Sequence, residues 1–398
     1  MGVESLRIAI IGCGPGGLAA ALLLKRAGHD VTLYERFSEA KPLGSGLVIQ
    51  PTGLAVLAHC GLREAFDKLT APITRLEGYA VDSRRRALDV FYVRKGKGMP
   101  ARATHRASLF EVLIEGVRAA GIPILGGHTF TGAKELMHTI APMFEAQGRG
   151  PDFDILIDAS GSRSPLAEGK GTELPFGALW ATVDMPTDHR LPTQSLNRRY
   201  WQASQMAGIM PVGLNPATGN QGAAVFWSVK REAAEQVMAG GAGPVADAFC
   251  KLWPEAEPFV AQIRTMDDWT LATYHHRTGK PVRGPRHIAL GDSWHCTSPQ
   301  LGQGANMALL DAMAVAQAFA DVDRAEEIGP RFAALRGFHV ALYQNLSWVF
   351  TPFFQSDDRV RPVLRDILMQ YFGGLPLMRD FVSLTVSGRL GLSSLRDL

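Results

Sequence analysis

The first residues that indicate a chemical function are the glycines of one short turn. Residues 12–17 read Gly-Cys-Gly-Pro-Gly-Gly and match the pattern G-x-G-x-x-G. In this pattern Gly12 allows a tight turn, Gly14 lets the backbone approach a pyrophosphate, and Gly17 lets a helix pack closely on a strand. The free N–H groups at the start of the following helix favour an anion. The residues predicted to bind the pyrophosphate of a dinucleotide are Gly12, Gly14, Pro15, Gly16 and Gly17.

A carboxylate follows where the ribose of such a dinucleotide would lie. Glu35 stands 18 residues after Gly17, about the spacing at which an acid hydrogen-bonds a ribose diol. A carboxylate there would repel a 2′-phosphate, so the site is predicted to prefer FAD or NAD to NADP. The neighbouring Arg36 is included in the predicted site. The alternative is a glycine turn without a ligand, and the order of strand, turn, helix, strand and acid disfavours it.

The residues around this turn and around Glu35 predict the strands and the helix that hold them in place. Residues 6–11 (LRIAII) are an apolar run typical of a strand buried on both faces. A helix rich in alanine and leucine is predicted over residues 18–26, and a second strand over residues 31–34. Residues 8–24 carry no charge, but glycines interrupt this run and a Lys-Arg pair follows it in place of a cleavage site. We therefore expect neither a signal peptide nor a membrane span.

Further motifs occur in a characteristic order along the rest of the chain. They are residues 42–51, Thr104-His105-Arg106, residues 154–164, Gly291-Asp292-Ser293-Trp294-His295, and Pro299 followed by Gly302-Gln303-Gly304-Ala305-Asn306, with Asp311 on the next helix. Together with the first turn, these motifs resemble the single-component (group A) flavoprotein monooxygenases of the para-hydroxybenzoate hydroxylase type. The resemblance covers most of the chain.

The resemblance implies a role for each motif in binding FAD. The glycine turn and Glu35 would hold the adenosine end, Arg106 would bind near the pyrophosphate and ribityl chain, and Asp292 would hydrogen-bond the ribityl chain. A helix that starts near Gly304 also makes physical sense, because its N-terminal dipoles stabilise negative charge on a reduced flavin. The residues expected to line the isoalloxazine are Pro299, Gly302, Gln303, Gly304, Ala305 and Asn306.

The chemistry that the resemblance implies belongs mainly to the cofactor. NADH or NADPH would reduce FAD as a transient co-substrate, and O2 would add at C4a. The resulting hydroperoxide would hydroxylate a small aromatic or heteroaromatic substrate. Two alternatives stay open: another flavin reaction on the same fold, such as that of an epoxidase, halogenase or reductase, and a protein that only binds a dinucleotide.

Two positions depart from the family pattern. Ser160-Gly161 stands where the family usually has Asp-Gly, which removes a carboxylate implied to couple flavin and nicotinamide binding. Ser293 and Trp294 stand where the family usually has two alanines. We expect Trp294 to pack beneath the flavin loop.

The substrate side is predicted from strand patterns and aromatic residues. Residues 208–212 and 223–229 are expected to be neighbouring strands with a turn between them. An aromatic pocket wall is one interpretation of the large side chains on and near these strands, and ordinary core packing is the other. The predicted pocket residues are Tyr200, Trp201, Met210, Phe226 and Trp227. The candidate bases for a phenolic substrate are Tyr200, His275 and His276.

The expected fold is α/β, with a Rossmann-like FAD-binding domain of the glutathione-reductase type and an interleaved antiparallel-sheet substrate domain. The FAD-binding domain is predicted over residues 1–72, 101–165 and 266–330, and the substrate domain over residues 73–100 and 166–265. A helical segment is expected over residues 331–398. Its apolar stretch, Trp348 to Phe354, is too short to span a bilayer. It is expected to pack over the flavin domain or to form a dimer face, with shallow membrane contact as an alternative.

Composition excludes several other classes of protein. The formal charge is +3, and the basic residues are scattered, so no nucleic-acid partner is expected. The four cysteines form no C-x-x-C pair, and the histidines show no metal-ligand spacing. We expect a cytoplasmic protein with reduced cysteines, no metal and no membrane span, as a monomer or homodimer.

Overall fold

The computed structural model describes residues 3–40, 45–94, 97–167 and 171–395, so the first part of the 42–51 motif lies outside the described residues. A parallel sheet forms the centre of the molecule, with one antiparallel strand at its edge. Its strands, in spatial order, are Ile124–Leu125, Asp30–Tyr34, Arg7–Ile11, Ile155–Asp158, His287–Ala289 and Val282–Gly284. The first two predicted strands are therefore confirmed within one residue, and they pair in parallel.

Two helices pack against each other on the parallel sheet, and both begin at glycine-rich turns. Pro15–Arg26 starts three residues before the predicted helix, because Pro15 fits the first helical turn, where its missing N–H costs nothing. Gly304–Asp321 lies directly against it. Gly16 permits this contact, since a Cβ there would lie 2.8 Å from Leu290 Cδ1 and 3.2 Å from Ala308 Cβ. The other helices of this part are Pro51–His59, Arg63–Leu69 and Arg106–Ala119.

A larger mixed sheet forms the second part of the molecule. All its neighbouring strands are antiparallel except Arg75–Ala80 and Ser195–Trp201, which pair in parallel. The predicted neighbours at residues 208–212 and 223–229 are confirmed as the antiparallel strands Gln205–Leu214 and Gln221–Lys230. In spatial order the strands are Thr270–Ala272, Phe176–Asp184, Gln221–Lys230, Gln205–Leu214, Ser195–Trp201, Arg75–Ala80 and Arg86–Phe91.

The two faces of the mixed sheet pack against different elements. The helices Ala242–Leu252 and Glu257–Val260 pack on one face of the sheet. Phe249 and Trp253 are fully buried in the apolar cluster that these helices form with the sheet. The other face contacts the strand Ala101–His105 and holds a second apolar cluster that includes Tyr200. Four smaller sheets complete the described strands. Two three-stranded sheets consist of Gly46–Ile49, Ala101–His105 and Ala71–Ile73, and of Phe130–Glu135, Ile140–Phe144 and Gly148–Arg149. A third consists of Thr172–Glu173, His275–Thr278 and His295–Cys296, and a two-stranded sheet pairs Val93–Arg94 with Lys97–Gly98.

The expected helical C-terminal segment is confirmed. Its helices are Ala325–Phe354, Val360–Phe372 and Pro376–Val386. The last two lie against the edge strand Arg86–Phe91 of the mixed sheet. In the described ranges, no helix is both long enough and apolar enough to cross a membrane.

The strands of the parallel sheet and of the mixed sheet come from alternating stretches of the sequence. The two parts of the fold are therefore interleaved along the chain. The strand Thr270–Ala272, which falls within the predicted FAD-binding domain, pairs with Phe176–Asp184 in the mixed sheet. The domain boundaries stay a proposal.

Candidate active site

The first glycine turn and the start of the helix Gly304–Asp321 face one cavity. This dinucleotide cavity has a volume of about 490 Å³ and runs along the carboxyl ends of Arg7–Ile11 and Asp30–Tyr34. Two distant segments therefore meet where one extended ligand could touch both. The predicted residues that line it are Gly12, Gly14, Pro15, Gly16, Gly17, Glu35, Arg36, Arg106, Asp292, Gly304 and Ala305.

Backbone N–H groups hold the carboxylate of Glu35 at one end of this cavity. Its Oε2 accepts a hydrogen bond from the N–H of Cys13 (3.0 Å), and its Oε1 accepts one from the N–H of Phe37 (3.2 Å). These bonds fix the side chain beside the turn, where a ribose diol can reach it. The guanidinium of Arg36 lies over the ring of Phe37, 4.6 Å from its centroid.

The turn itself is built for close approach of a ligand. Gly12 has φ +103°, and a Cβ there would lie 2.5 Å from the carbonyl oxygen of Ala159. A Cβ on Gly17 would lie 2.1 Å from the carbonyl oxygen of Gly12, so the helix can pack here only on glycine. A Cβ on Gly14, in contrast, would meet no atom within 4 Å. Gly14 therefore leaves free the space in front of the helix N-terminus, and this space fits a pyrophosphate.

A buried acid supports the floor of the cavity. Asp158 ends the strand Ile155–Asp158, and its Oδ1 accepts hydrogen bonds from the N–H (3.0 Å) and the hydroxyl (2.6 Å) of Ser160. Its Oδ2 accepts from the hydroxyl of Ser164 (2.6 Å) and from Arg283, which also donates to the carbonyl oxygen of Ser293 (2.6 Å). Ser160, the residue that departs from the family pattern, is thus held by Asp158 at the cavity wall.

The far end of the dinucleotide cavity contains Asp292 and Arg106. The carboxylate of Asp292 opens into the cavity and accepts no hydrogen bond from the part of the chain that the structure describes. Its side chain is exposed to this open cavity, while desolvation by the surrounding protein raises the pKa of its carboxyl above the usual value. A Cβ on Gly304 would meet no atom within 4 Å. A free carboxylate and an open helix start fit the ribityl chain and ring of FAD.

A second cavity, of about 800 Å³, lies between the mixed sheet and the C-terminal helices. Gly302 lines this apolar cavity, whereas Gly304 lines the dinucleotide cavity. On the facing strand, Val48 lines the apolar cavity and Leu47 lines the other. The loop at residues 299–304 therefore lies between the two cavities.

Polar groups lie at the end of the apolar cavity next to this loop. The hydroxyl of Tyr92 donates to Gln50 Oε1, and Gln50 Nε2 donates to the carbonyl oxygen of Gly302 (3.2 Å). Arg198 and Gln300 line the same cavity. Burial raises the pKa of the Tyr92 hydroxyl well above its usual value, although the bond to Gln50 and the charge of Arg198 act in the opposite direction. Tyr92 therefore stays protonated at neutral pH.

Three predicted flavin residues line neither cavity. Pro299 opens the turn at residues 299–301, and Gln303 and Asn306 are buried. Gln303 Nε2 donates to the carbonyl oxygen of Val386 (2.7 Å), and Asn306 Nδ2 donates to Thr52 Oγ1 (3.0 Å). These amides attach the start of the helix to its neighbours, and the predicted contact of Pro299, Gln303 and Asn306 with the flavin ring stays a prediction.

None of the five residues predicted to form a substrate pocket lines the apolar cavity. Trp201 is exposed at the end of its strand, and Trp227 packs against Phe249 on the opposite face of the mixed sheet. The others, Tyr200, Met210 and Phe226, belong to the core behind the cavity wall. Successive side chains of a strand point to opposite faces of the sheet, so these residues are divided between the two faces. The sequence does not reveal which face of the mixed sheet borders the cavity.

The three candidate bases are also outside the described cavities. Tyr200 is fully buried beneath the guanidinium of Arg365. His275 and His276 lie in the strand His275–Thr278, which pairs with the short strands on either side, and burial lowers the pKa of His276. Their predicted contact with substrate is therefore not supported by the geometry. In the ranges that the structure describes, no cluster of His, Cys, Asp or Glu could hold a metal.

Sequence reasoning missed the polar residues of the apolar cavity, although one signal was present. Arg198 stands two residues before Tyr200, so both side chains lie on the same face of the strand. Tyr92 and Gln50 gave no such signal, because only the fold brings them together.

Comparison with known proteins identifies the family. A family model described as an FAD binding domain matches residues 5–327. The 3-amino-4-hydroxybenzoate 2-monooxygenase of Streptomyces cremeus is 28% identical over 321 residues, covering 77% of each chain. The 6-hydroxynicotinate 3-monooxygenase of Pseudomonas fluorescens is 25% identical over 339 residues, covering 80% of this chain and 84% of the relative.

Solved structures share the fold over nearly the whole chain. Klebsiella pneumoniae HpxO in complex with FAD and uric acid matches with a TM-score of 0.80 at 20% identity, over 97% of this chain and 98% of that chain. The tetrameric form of 2-methyl-3-hydroxypyridine-5-carboxylic acid oxygenase matches with a TM-score of 0.75 at 18% identity, over 96% of each chain. The chain belongs to the FAD-binding domain family, its resemblance to flavoprotein monooxygenases of the para-hydroxybenzoate hydroxylase type is confirmed, and its cofactor is FAD.

Proposed function

We propose that this protein is an FAD-dependent monooxygenase that hydroxylates an aromatic or heteroaromatic small molecule with O2 and NADH or NADPH. The observation that carries the proposal is the loop at residues 299–304, which has the dinucleotide cavity on one side and the apolar cavity on the other. A cofactor ring at this loop and a substrate ring beyond it would be neighbours. A protein that only binds a dinucleotide would need no second cavity there.

The residues that would hold FAD follow from the dinucleotide cavity. Glu35 would bind the adenosine ribose, and the helix start at Gly14 would bind the pyrophosphate. Asp292 and Arg106 would bind the ribityl chain, and the helix start at Gly304 would face the ring. FAD, when bound, accepts electrons from NADH or NADPH and passes an oxygen atom from O2 to the substrate.

The apolar cavity would bind the substrate ring, with Arg198 as the main polar contact. Arg198 is half-buried, and its Nη1 donates to the hydroxyl of Tyr200 (3.5 Å). Within the described ranges no carboxylate forms an ion pair with Arg198, and its Nε has no hydrogen-bond partner. A half-buried cation without a paired carboxylate would attract a phenolate or carboxylate of the substrate. A guanidinium beside a phenol lowers the pKa of the phenol, and the resulting phenolate is the more electron-rich ring. The protonated Tyr92 would then serve as a hydrogen-bonding group, not as a base.

The protein reconstituted with FAD tests the proposal. NADH and NADPH oxidation is measured with aromatic acids, phenols and N-heterocycles, together with peroxide formation and incorporation of label from ¹⁸O2 into product. We expect one compound class to stimulate oxidation and to yield product carrying one labelled oxygen. Protein that cannot bind FAD, or oxidation recovered wholly as peroxide with every class, would overturn the proposal.

Two adjacent arginines provide a matched pair of variants. Arg198→Met should raise the KM for the substrate at least tenfold, a loss of about 1.4 kcal/mol or more, while FAD affinity stays the same. Arg199 points to the other face of the strand, where its guanidinium lies 4.5 Å from the ring centroid of Trp253. Arg199→Met should therefore leave KM unchanged. Equal effects of the two substitutions would remove Arg198 from the substrate site.

A further inference from the structure

Most of the polar side chains that line the apolar cavity lie at its flavin end. Gln50, Tyr92, Arg198 and Gln300 lie there, next to the 299–304 loop. The rest of the lining consists almost entirely of valine, leucine, methionine and phenylalanine side chains. A ligand that fits this cavity is therefore polar at one end and apolar over the remainder.

The two other polar side chains in the lining already have partners. Arg365 donates to Asp366 Oδ1 (2.8 Å) and to the carbonyl oxygen of Phe353 (2.9 Å), and its guanidinium lies over two aromatic rings. The hydroxyl of Thr385 donates to the carbonyl oxygen of Phe381 (2.8 Å). The Nη2 of Arg365 has no hydrogen-bond partner in the described part of the chain, but it forms an ion pair with Asp366 (2.7 Å). Apart from Arg365 and Thr385, the lining that the last two helices supply is apolar.

The polar side chains beside the flavin loop have atoms without a hydrogen-bond partner. Both the Nε2 and the Oε1 of Gln300 are buried without a hydrogen-bond partner in the described part of the chain, and so is the Nε of Arg198. Buried polar atoms of this kind are normally satisfied by protein, water or ligand. Because Gln300 and Arg198 also line the cavity beside the flavin loop, this end fits the polar head of a ligand.

The cavity is also larger than a single ring requires. A cavity of about 150 Å³ holds benzene, whereas this one measures about 800 Å³. The helices Val360–Phe372 and Pro376–Val386 supply about half of the apolar lining residues, so a larger ligand could extend along them.

The mouth of the cavity is apolar as well. Leu368, Phe372, Leu375 and Leu377 line the cavity and are exposed to solvent, Leu377 with 86% of its surface. Contiguous exposed apolar side chains on a protein surface mark a site that binds apolar groups. At this position they extend the apolar lining outward to the surface.

We propose that the aromatic substrate carries an apolar chain of several carbons, which the cavity binds between the mixed sheet and the last two helices. The proposal rests on the proposed function. The anionic or hydroxyl-bearing head lies at Arg198 and Gln300, and the chain extends toward Leu368 and Phe372. Binding should therefore strengthen as the chain lengthens, by about fourfold in Kd for each methylene until the cavity is filled.

A chain-length series tests this directly. The FAD-loaded protein is titrated with 4-alkylphenols and with 4-alkylbenzoates bearing one, four and eight carbons, and Kd is read from the change in flavin absorbance. We expect Kd to fall at least a hundredfold from the methyl to the octyl member of one series. A Kd that does not change with chain length, or the absence of binding by every member, overturns the proposal.

Variants at the mouth separate a bound chain from nonspecific adsorption. Leu368→Gln and Phe372→Gln should weaken binding of the octyl compound at least tenfold and change that of the methyl compound less than twofold. Val363 is exposed on the same helix and does not line the cavity, so Val363→Gln should leave both constants unchanged. If the three variants behave alike, the chain does not bind here. Hydroxylation of short aromatic compounds by the same preparation would show that the proposed function stands even when this inference fails.

Discussion

The side-chain amide of Gln50 donates a hydrogen bond to the carbonyl oxygen of Gly302, 3.2 Å away, across 252 positions of the chain. The same amide accepts the hydroxyl proton of Tyr92. Gln50 is almost completely buried, so both partners depend on it. One side chain thus connects the wall of the apolar cavity to the loop that lies between the two cavities.

Replacing Gln50 should loosen this loop. In Gln50→Leu the Tyr92 hydroxyl and the Gly302 carbonyl oxygen lose a buried partner, which costs about 1–3 kcal/mol in unfolding free energy. We also expect a larger share of NADH or NADPH oxidation to end as peroxide, because water reaches the flavin more easily. Urea unfolding and the ratio of product to peroxide measure the two effects. Tyr92→Phe is the control, and adding it to Gln50→Leu should cost less than the sum of the two single changes.

Two glycines of the first turn should respond in opposite ways to the same substitution. Gly14→Ala places its methyl group in open space, so the apoprotein should keep its Tm while FAD affinity falls at least tenfold. Gly17→Ala places its methyl group against the Gly12 carbonyl oxygen and should destabilise the apoprotein by about 1–3 kcal/mol. Thermal unfolding of apoprotein and fluorescence titration with FAD distinguish the two. Loss of stability in Gly14→Ala would contradict the assignment of this space to a ligand.

Glu35 should contribute to FAD affinity and little to folding. Glu35→Ala should weaken FAD binding by about 1–3 kcal/mol, because charge-assisted hydrogen bonds to the ribose are lost. The FAD dissociation constant of the reconstituted apoprotein measures this effect. Glu39, an exposed acid four residues later that does not line the cavity, provides the control Glu39→Ala. Equal affinities of the two variants would show that Glu35 does not contact the cofactor.

Restoring the family acid at position 160 should destabilise this protein. Ser160 donates its hydroxyl proton to Asp158, so Ser160→Asp would set two carboxylates against each other. We expect a loss of about 1–3 kcal/mol in unfolding free energy at neutral pH, since a buried charge would lose a donor and gain a like charge. Ser162→Asp, at an exposed position two residues later, should be close to neutral. A stable Ser160→Asp protein would mean that Arg283 can neutralise both acids.

His339 should make the protein sensitive to acid. Arg336 donates to its Nδ1 (2.6 Å), so the ring is neutral and its Nε2–H donates to the carbonyl oxygen of Gly388 (3.1 Å). Burial and the charge of Arg336 lower its pKa to about 3 from an ordinary value of 6.5. Between these two values the unfolded chain binds the proton and the folded chain does not. Stability is therefore present above pH 6.5 and declines as the pH falls toward 3.

Measuring the free energy of unfolding as a function of pH tests whether stability falls toward acid pH. His339→Gln should reduce the slope of unfolding free energy against pH in this window by up to about 1.4 kcal/mol per pH unit. His138→Gln, at an exposed position, should leave the slope as it is. An unchanged slope in His339→Gln would mean that the ring is protonated in the folded protein.

Local sequence patterns were enough to predict the part of the candidate site proposed to bind the adenosine end of the cofactor. The turn at residues 12–17, the helix after it and Glu35 lie within one short stretch of chain. Their conformation follows from local causes: glycine at positions without room for a Cβ, an apolar strand on each side, and an acid at the end of the second strand. These causes do not depend on the rest of the molecule, and so the pattern could be recognised before the fold was known.

The proposed substrate cavity, in contrast, became visible only in the folded structure. Strand alternation predicts that Arg198 and Arg199 face opposite ways, but packing of the C-terminal helices selects the face of Arg198 for the cavity. Gln50 bonds Tyr92 and Gly302, residues 42 and 252 positions away, and no local pattern encodes contacts at such distances. A pocket between two sheets and a helical layer exists only once these elements have packed, and this is why aromatic residues chosen from the sequence turned out to be core.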